Sequence, residues 1–543
     1  MKHKLKWDEF TGILLLAAGV FMLGVSVFLC FSSDIWYDEL FTMGLGNQSL
    51  GGLVSITAAD VHPPLYYMIV KLFLELGAVF SGSVDQIVIA KLVSILPFLL
   101  CMIYAVTKVR KHFGMLSAGL LCFLLLSMPK LADYTVEIRM YGYALFFIMA
   151  GMLHAYEIAG ELADVEAVMG NRNRIQWSKM SYVNWIAVTL YSLAACYTHY
   201  FACVAACMIY VYLLIAGVME GRWKQLLKPF WGSGLVCVAG YLPWLVTVVV
   251  SQVGAVKENY WIQPLSFRTL GGCVKFLFQP MLGHELLNVI GAVILFAIYG
   301  LLFVVTIFRW LKKGEKTERR KAAFVIGSIG CLAGIVLFGF GASAIVRPIF
   351  VYRYMLPAMG VIWLAFVVMV SELKNKKILI VPLVLLLVLV GARNYRSFYG
   401  EEMWKRVQMD KTQEALAQIG KEDIVIYNFN QTQAVVSCYL DNDSRLWAGE
   451  PEKLIRRMYP ENRGLTEGEF EDEKGMQEIR ALLEAGETVW YLGSGNAREE
   501  IIEKWKTEGI AAQEEASVLL ERYWFNIYRI KSVSDIDGAE KKR

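Results

Sequence analysis

Long apolar stretches between residues 10 and 392 limit what this chain can fold into more than any other feature. Roughly eleven of them, each about 16–25 residues long, are suited to crossing a bilayer as a helix. The chain is 57% hydrophobic and 19% charged, against about 45–50% and about 25% in soluble domains. We therefore predict an α-helical polytopic membrane protein, and nucleic-acid binding, a disulfide-rich secreted domain and intrinsic disorder are poor interpretations. The stretches lie near 10–31, 86–107, 113–129, 141–158, 182–198, 200–218, 229–250, 287–309, 322–346, 354–371 and 377–392.

Charge divides the chain into two unlike parts. Residues 1–392 carry 31 Lys and Arg and 20 Asp and Glu, whereas residues 393–543 carry 22 and 29. We predict a transmembrane domain over 1–392, with a first outer loop at 32–85, and a separate domain over 393–543. Strand-like and helical segments alternate in this tail, which predicts a small soluble α/β domain. The predicted strands are 424–429, 488–493 and 516–530, and the predicted helices lie near 403–419, 432–440, 475–486 and 496–508.

The distribution of Lys and Arg predicts the orientation. The amphipathic segment 65–76 has two interpretations, a span or a helix along the membrane surface, and counting it as a span would reverse every later helix. When it lies at the surface, the inner loops collect 22 basic residues and the outer loops only eight. The positive-inside rule therefore predicts a cytoplasmic N-terminus and, on the other face of the cell membrane, an extracytoplasmic C-terminal domain.

Asp38 and Glu39 follow the first span on the predicted outer face. One interpretation is a helix start capped by Ser33 or Asp34, with acidic residues that meet the helix dipole. The other is a base or metal ligand held at the interface. Because adjacent side chains on a helix point about 100° apart, the two acids are not expected to share one role.

A second polar motif places Asp60 and His62 before two prolines, which fix an extended entry into the next helix. A rigid helix start capped by Asp60 is the plainer interpretation. The alternative is that this rigidity aims His62 or Asp60 at a reaction centre.

A third motif contains Glu137, Arg139 and Tyr141 at the outer start of a span. A helical backbone would put Glu137 and Tyr141 on one face, whereas an extended backbone would put all three together. A surface salt bridge with an interfacial tyrosine and a functional site explain the motif equally well.

Two short outer turns carry His199 and the pair Arg353 and Tyr354. A single histidine in such a turn is more often a satisfied interfacial residue than a ligand. Arginine forks suit phosphate, although anchoring at the membrane interface is the plainer role for Arg353.

Taken together, these segments place acids, histidines and arginines on one membrane face. The set suits transfer from a lipid phosphate, because an acid can activate a hydroxyl while cations hold the leaving phosphate. The alternative is a transporter or flippase of lipid-linked sugars. An ion-coupled transporter is expected to hold its carboxylates nearer mid-membrane, so the outer-face set favours an enzyme.

The order of these motifs resembles the glycosyltransferase-C superfamily. The similarity runs over about residues 1–370, and it is greatest to bacterial protein mannosyltransferases and aminoarabinose transferase-like enzymes of glycosyltransferase family 39. It implies a polyprenyl-phosphate sugar donor, hexosyl or pentosyl, and an inverting transfer to an acceptor hydroxyl on the outer face. The acceptor, a wall polymer, a lipid or a protein of the cell envelope, stays open. The matching segments read D-E, D-V-H-P-P-L-Y-Y, E-x-R-M-Y, T-H-Y and R-Y-x-L-P.

The resemblance also implies roles for single residues. Asp38 is implied as the catalytic base, with Glu39 as its partner and Glu137 as a second catalytic acid. If a metal is used, the expectation is Mg²⁺ or Mn²⁺ held by carboxylate oxygens of Asp38 and Glu137, with His284 a further candidate ligand. The residues implied in holding the lipid phosphate or the sugar are His62, Arg139, Tyr141, His199, Arg353 and Tyr354.

Overall fold

The computed structural model describes most of the chain. The descriptions below concern residues 6–32, 34–80, 84–164, 179–250, 252, 262, 264–373, 376–428, 436, 438–440, 442, 446–448, 458, 463–464, 473–520 and 522–532.

Helices dominate the described residues, and a small sheet follows near the C-terminus. The helices are α1 Trp7–Leu29, α2 Tyr37–Gly46, α3 Leu50–Ala59, α4 Leu65–Phe80, α5 Gln86–Tyr104, α6 Arg110–Phe113, α7 Met115–Ser127, α8 Asp133–Val136, α9 Tyr141–Asp164, α10 Lys179–Thr198, α11 Tyr200–Met219, α12 Trp223–Trp244, α13 Phe267–Phe278, α14 Glu285–Lys313, α15 Lys316–Ile345, α16 Leu356–Ser371, α17 Lys377–Leu416, α18 Glu473–Glu484 and α19 Gly495–Thr507. The strands are β1 Ile424–Tyr427, β2 Leu446–Trp447, β3 Arg463–Gly464, β4 Val489–Gly493, β5 Ile510–Leu520 and β6 Tyr523–Ser532.

Nine helices of the described chain are long and apolar enough to cross a membrane, against the roughly eleven predicted. Helix α7 falls short because it has only 13 residues, and the 20-residue α10 is too polar to count. The 16-residue α4, which held the ambiguous segment, is also outside this set. The polytopic α-helical prediction is confirmed, with fewer full-length spans.

Two compact units make up the chain. The first contains residues 1–31, 49–82 and 89–399, and the second contains residues 32–48, 83–88 and 400–543. The boundary at 399/400 lies inside the continuous helix α17, as does the change of composition at residue 392.

Tight helix packing in the first unit depends on small residues. A Cβ atom on Gly12 of α1 would overlap the backbone of Met115, and a Cβ atom on Gly119 of α7 would overlap the backbone of Gly12. Such contacts let two helices approach closely without large side chains between them. Helix α16 has all sixteen of its residues buried, so it forms the centre of this packing.

Ion pairs join helices of the first unit at the ends where the sequence predicts inner loops. Glu157 on α9 accepts from Lys108 at 2.5 Å, from His112 at 3.2 Å and from Lys111 at 3.2 Å. Arg319 on α15 forms a fork with both carboxylate oxygens of Glu220, each at 2.9 Å. Two more buried glutamates are paired in the same way, Glu372 with Arg309 and Lys321, and Glu318 with Arg309.

The second unit contains a six-stranded mixed sheet in the order β3-β2-β1-β4-β6-β5. The first four strands of that order are parallel, and β6 and β5 are antiparallel neighbours. A core of buried residues, among them Tyr491 and Trp505, lies between the sheet and the helices α18 and α19. The predicted soluble α/β domain is therefore confirmed.

Local details of this domain differ from the sequence prediction. The segment 516–530 was expected to be one strand, but β5 and β6 form a hairpin whose turn contains Arg522 at a φ of 75°. The left-handed conformation is rare for an arginine, and no glycine or proline marks this turn. Most of the helix predicted at 432–440 lies outside the described residues.

Candidate active site

His199 lies at the centre of the predicted site residues in the first unit. It occupies the single position between α10 and α11, where its Nδ1 accepts a hydrogen bond from the Phe201 N–H at 3.2 Å. Its side chain is a helix N-cap, and only 3% of the residue is exposed. Because Nδ1 is the acceptor, the proton of the neutral imidazole is on Nε2.

Positive groups surround this histidine. Burial holds the pKa of His199 well below its ordinary value, and the charges of His62, Arg139 and Arg353 lower it further. The side chain is therefore neutral at pH 7. Nearby positive charges disfavour the protonated imidazole, as burial does.

Aromatic rings pack against His199 on two sides. The ring centroids of Tyr354 and Tyr141 lie 5.1 Å and 5.4 Å from that of His199. Phe201 packs on Tyr354 with a centroid distance of 4.7 Å. Tyr141 begins α9, Phe201 belongs to α11, and Tyr354 lies in a short 3-10 helix, Tyr352–Met355, directly before α16. These contacts therefore restrict the orientation of the imidazole.

The segment before α9 contains Glu137 and Arg139. The backbone is not helical from Glu137 to Met140, and the Arg139 N–H donates to the Glu137 carbonyl at 2.8 Å. Arg139 is only 3% exposed, so the interpretation of a surface salt bridge does not fit it. Its guanidinium carbon lies 6.0 Å from the centroid of the Tyr141 ring.

Tyr134 connects this segment with Arg353. Burial raises the pKa of Tyr134 well above its ordinary value, Glu137 adds to the increase, and Arg353 opposes it. Both charged groups are therefore close to the phenol. The structure thus brings the third predicted motif and the Arg353 turn to one place.

His62 reaches the cluster from the α3–α4 connection. Its Nδ1 donates to Asp60 Oδ2 at 2.8 Å, and its ring centroid lies 6.5 Å from that of His199. Asp60 ends α3, with its N–H donating to the Ile56 carbonyl. The Asp60 carboxylate therefore orients His62. The sequence offered these two residues as alternatives, and the structure pairs them.

A cavity of about 590 Å³ borders the cluster. Its apolar wall comes mainly from the end of α15, with Phe338, Ala342 and Ile345 among the lining residues. Its polar lining consists of His62, His199, Tyr200, Gln252 and Tyr354. An apolar cavity with a few convergent polar groups is the usual form of a small-molecule site.

Gln252 is a lining residue that the sequence analysis missed. Its Nε2 donates to the carbonyls of Thr57 and Ala58 at 3.0 and 3.1 Å, and its Oε1 accepts from the Tyr200 hydroxyl at 2.5 Å. It thereby ties the end of α3 to the start of α11. A polar residue directly after a long apolar stretch is the only sequence signal that points to it.

Asp38 and Glu39 belong to the second unit, where they form part of the first turn of α2. Glu39 is 4% exposed, and its Oε2 accepts from the Trp36 N–H at 3.0 Å. Trp36 is the N-cap residue, so Asp34 does not have the expected capping role, and Ser33 lies outside the described residues. The Oδ2 atom of Asp38 is buried from solvent.

No metal cluster is formed within the part of the chain that the structure describes. There, no group of three or more His, Cys, Asp or Glu side chains could hold an ion. His284 is exposed at the N-terminus of α14, and the loop before it is partly outside the described residues.

Comparison with protein-family models and with curated proteins finds no match. Solved structures do match. ArnT from Cupriavidus metallidurans bound to undecaprenyl phosphate has a TM-score of 0.56 at 13% identity, over 95% of this chain and 97% of that one. The oligosaccharyltransferase of Archaeoglobus fulgidus in its apo form has a TM-score of 0.46 at 11% identity, over 91% and 70%. The match to ArnT confirms the glycosyltransferase-C fold that the motifs predict.

Proposed function

We propose that this protein is an integral membrane glycosyltransferase that uses a polyprenyl-phosphate sugar as donor. The transferred sugar goes to an acceptor hydroxyl with inversion at the anomeric carbon. The observation that carries the proposal is the cationic cluster around His199 beside a mainly apolar cavity. The fold shared with ArnT, whose structure is bound to undecaprenyl phosphate, supports the same class of donor.

The cluster offers what a lipid phosphate needs. Arg139 and Arg353 supply charge and guanidinium N–H groups, and the neutral His199 supplies an Nε2–H donor. The apolar wall of the cavity takes the first part of the isoprenoid chain. Charge and apolar surface therefore meet where a phosphate and its lipid are joined.

The reaction follows from the change of charge on the donor. The acceptor oxygen forms a bond to the anomeric carbon while the bond from that carbon to the phosphate oxygen breaks, through an oxocarbenium-like transition state. The phosphate begins as a diester with one negative charge and leaves as a monoester that gains a second. Cations around His199 stabilise the leaving group more than the bound donor, which is the condition for catalysis.

The acceptor proton needs a base. We assign the role of the base to the Asp38 carboxylate. Glu39 fixes the helical turn that carries Asp38, and Glu137 is a second acid near the His199 cluster. Asp38→Asn removes the base with little change in shape. We expect loss of transfer with normal membrane insertion and normal binding of undecaprenyl phosphate; near-wild-type transfer would remove Asp38 from the mechanism.

A divalent ion held by Asp38 and Glu137 remains a prediction, and no step of the reaction is assigned to it. Transfer measured after EDTA treatment and again after addition of Mg²⁺ or Mn²⁺ tests it. Restored transfer supports a metal site, and unchanged transfer in EDTA rejects it.

Purified protein in nanodiscs and a panel of undecaprenyl-phosphate sugars, hexoses and pentoses, test the function. Release of undecaprenyl phosphate, by transfer or by hydrolysis, is the expected result for at least one donor. Binding without release, together with donor movement between the leaflets of proteoliposomes, would favour the flippase alternative.

The orientation is tested with Cys438, an exposed cysteine of the C-terminal domain. We expect a membrane-impermeant maleimide to label it in intact cells, because the domain is proposed to face outward. The Cys438→Ser variant is the matched control, and labelling only after cell lysis would reverse the topology.

A further inference from the structure

The segment that carries Asp38 and Glu39 belongs to the same compact unit as the C-terminal domain. Residues 32–48 group with 400–543, although most of the transmembrane helices lie between them in the sequence. Two contacts at the start of α2 fix this association, and each comes from a different part of the domain.

The first contact is made by Tyr439. Its hydroxyl oxygen accepts a hydrogen bond from the N–H of Ile35 at 2.9 Å, and Ile35 is buried. Burial raises the pKa of Tyr439 well above its ordinary value, and the charges of Asp34 and Glu39 act in the same direction. The phenol thus stays protonated near the two carboxylates, with its oxygen occupied by the backbone of the segment.

The second contact is made by Arg522 in the turn between β5 and β6. Its guanidinium carbon lies 4.1 Å from the centroid of the Trp36 indole, well inside the range for a cation–π interaction. The turn puts Arg522 in the left-handed conformation, at a φ of 75°. The hairpin therefore adopts an uncommon backbone geometry at the residue that covers Trp36.

We propose that Tyr439 and Arg522 are positioning residues, through which the C-terminal domain aims the Asp38 carboxylate. This inference rests on the proposed function. Ile35 and Trp36 directly precede α2, and the Trp36 N–H is in turn bonded to Glu39. Fixing residues 35 and 36 therefore fixes the direction of the first helical turn, which contains Asp38.

The tests use the full-length protein in nanodiscs and the donor that the panel identifies. Arg522→Ala and Tyr439→Phe each remove one contact. We expect kcat to fall by about tenfold or more, because small displacements of a reacting group have large effects on rate. The Kd for undecaprenyl phosphate should stay within about twofold of the wild-type value, since neither substitution changes the His199 cluster.

Hydrogen–deuterium exchange gives a readout that does not depend on catalysis. Backbone amides of residues 34–46 should exchange faster in both variants, whereas those of β4 should not. Arg522→Lys keeps a cation over the indole and should recover most of kcat.

Arg529 is the matched control, because it is also an exposed arginine beside a tryptophan, with its guanidinium carbon 5.8 Å from the centroid of the Trp490 ring. Arg529→Ala should leave kcat and the exchange of residues 34–46 unchanged. If Arg522→Ala behaves like Arg529→Ala, the positioning role is wrong. If the wild type releases undecaprenyl phosphate from none of the donors, the proposed function fails instead.

Discussion

Charged side chains are arranged differently in two regions of the first unit, the buried glutamates near the predicted inner loops and the His199 cluster. Four helices, α9, α11, α15 and α16, run between them, and Glu157 lies about 24 Å along α9 from Tyr141 at the rise of an α-helix. Around Glu157, Glu220 and Glu372, each buried carboxylate has basic partners on another helix. Around His199, by contrast, the charges of nearby basic residues lower the pKa of a buried histidine beside a cavity.

The difference separates charge pairs that join helices from the charged residues that we propose bind a phosphate. A buried carboxylate with a cation at hydrogen-bonding distance locks two helices together, and removing one partner is costly. Positive charges beside the buried His199 ring lower its pKa, and a perturbed pKa next to a cavity is typical of functional sites. Under the proposed function, these positive charges would attract the phosphate of the donor.

The largest expected effect is a loss of activity at the His199 cluster. Arg353→Met keeps much of the side-chain length without the charge, and we expect kcat/KM to fall by about 10²–10³-fold. The apparent unfolding temperature should change far less than the activity. Steady-state kinetics and thermal unfolding of the same preparation measure the two quantities.

Arg353→Lys serves as the control, because it retains the charge without the planar fork. Its activity should lie between those of the wild type and Arg353→Met. A fall in unfolding temperature without a fall in activity would show that this cluster is structural after all.

The second effect is a loss of stability at the paired end. Arg319→Ala leaves Glu220 without its fork, and we expect destabilisation by about 3 kcal/mol. The kcat/KM of the folded protein should not change. Glu220→Ala removes the carboxylate that Arg319→Ala leaves without its fork, so the double variant should be more stable than Arg319→Ala alone. Chemical unfolding of the wild type, the two single variants and the double variant measures this.

The third effect concerns pH. The pKa of His199 is lower in the folded state than the ordinary value of 6.5, so the unfolded chain binds this proton more readily. Stability should therefore fall as the pH decreases through about 6.5. His199→Asn keeps an N-cap acceptor but cannot titrate.

Unfolding temperatures between pH 8 and pH 5.5 compare the two proteins. The His199→Asn variant should lose less stability on acidification than the wild type. Parallel curves would mean that burial of His199 does not govern its protonation.

The smallest effect is expected for Lys111, the most exposed partner of Glu157 at 66% side-chain exposure. Lys111→Ala should change stability by less than about 0.5 kcal/mol, since an exposed partner adds little. Lys108→Ala is the comparison, because Lys108 is 20% exposed and lies at 2.5 Å. Equal losses in the two variants would contradict the argument from burial.

Much of the fold was predictable because apolar length and alternation are local signals. The spans and the strands β1 and β4 follow from residues next to one another in the sequence. The length of α7 was overestimated because apolar content does not show where a helix begins or ends. Gly114, at a φ of 88°, separates α7 from α6, and the backbone is already extended at Met128, directly before Pro129. The hairpin at Arg522 was missed because its turn lacks glycine and proline.

The residues that cluster around His199 could be singled out from the sequence, but their contacts could not. His62, Arg139, His199 and Arg353 were each singled out from short motifs, and their electrostatic coupling needed the structure. Gln252 escaped notice because its carbonyl partner Thr57 is 195 positions away. The support of Trp36 by Arg522 likewise has no local signal.

The hydrogen bond between Ile35 and Tyr439 joins residues 404 positions apart. During synthesis at about 5–20 residues per second, Tyr439 follows Ile35 by about 20–80 s. The loop that carries Asp38 is thus inserted well before its support exists. If the proposed function and the proposed positioning role hold, an incomplete chain would contain the helices of the His199 cluster without an aligned Asp38. The order of biosynthesis would then delay activity until the last domain has folded.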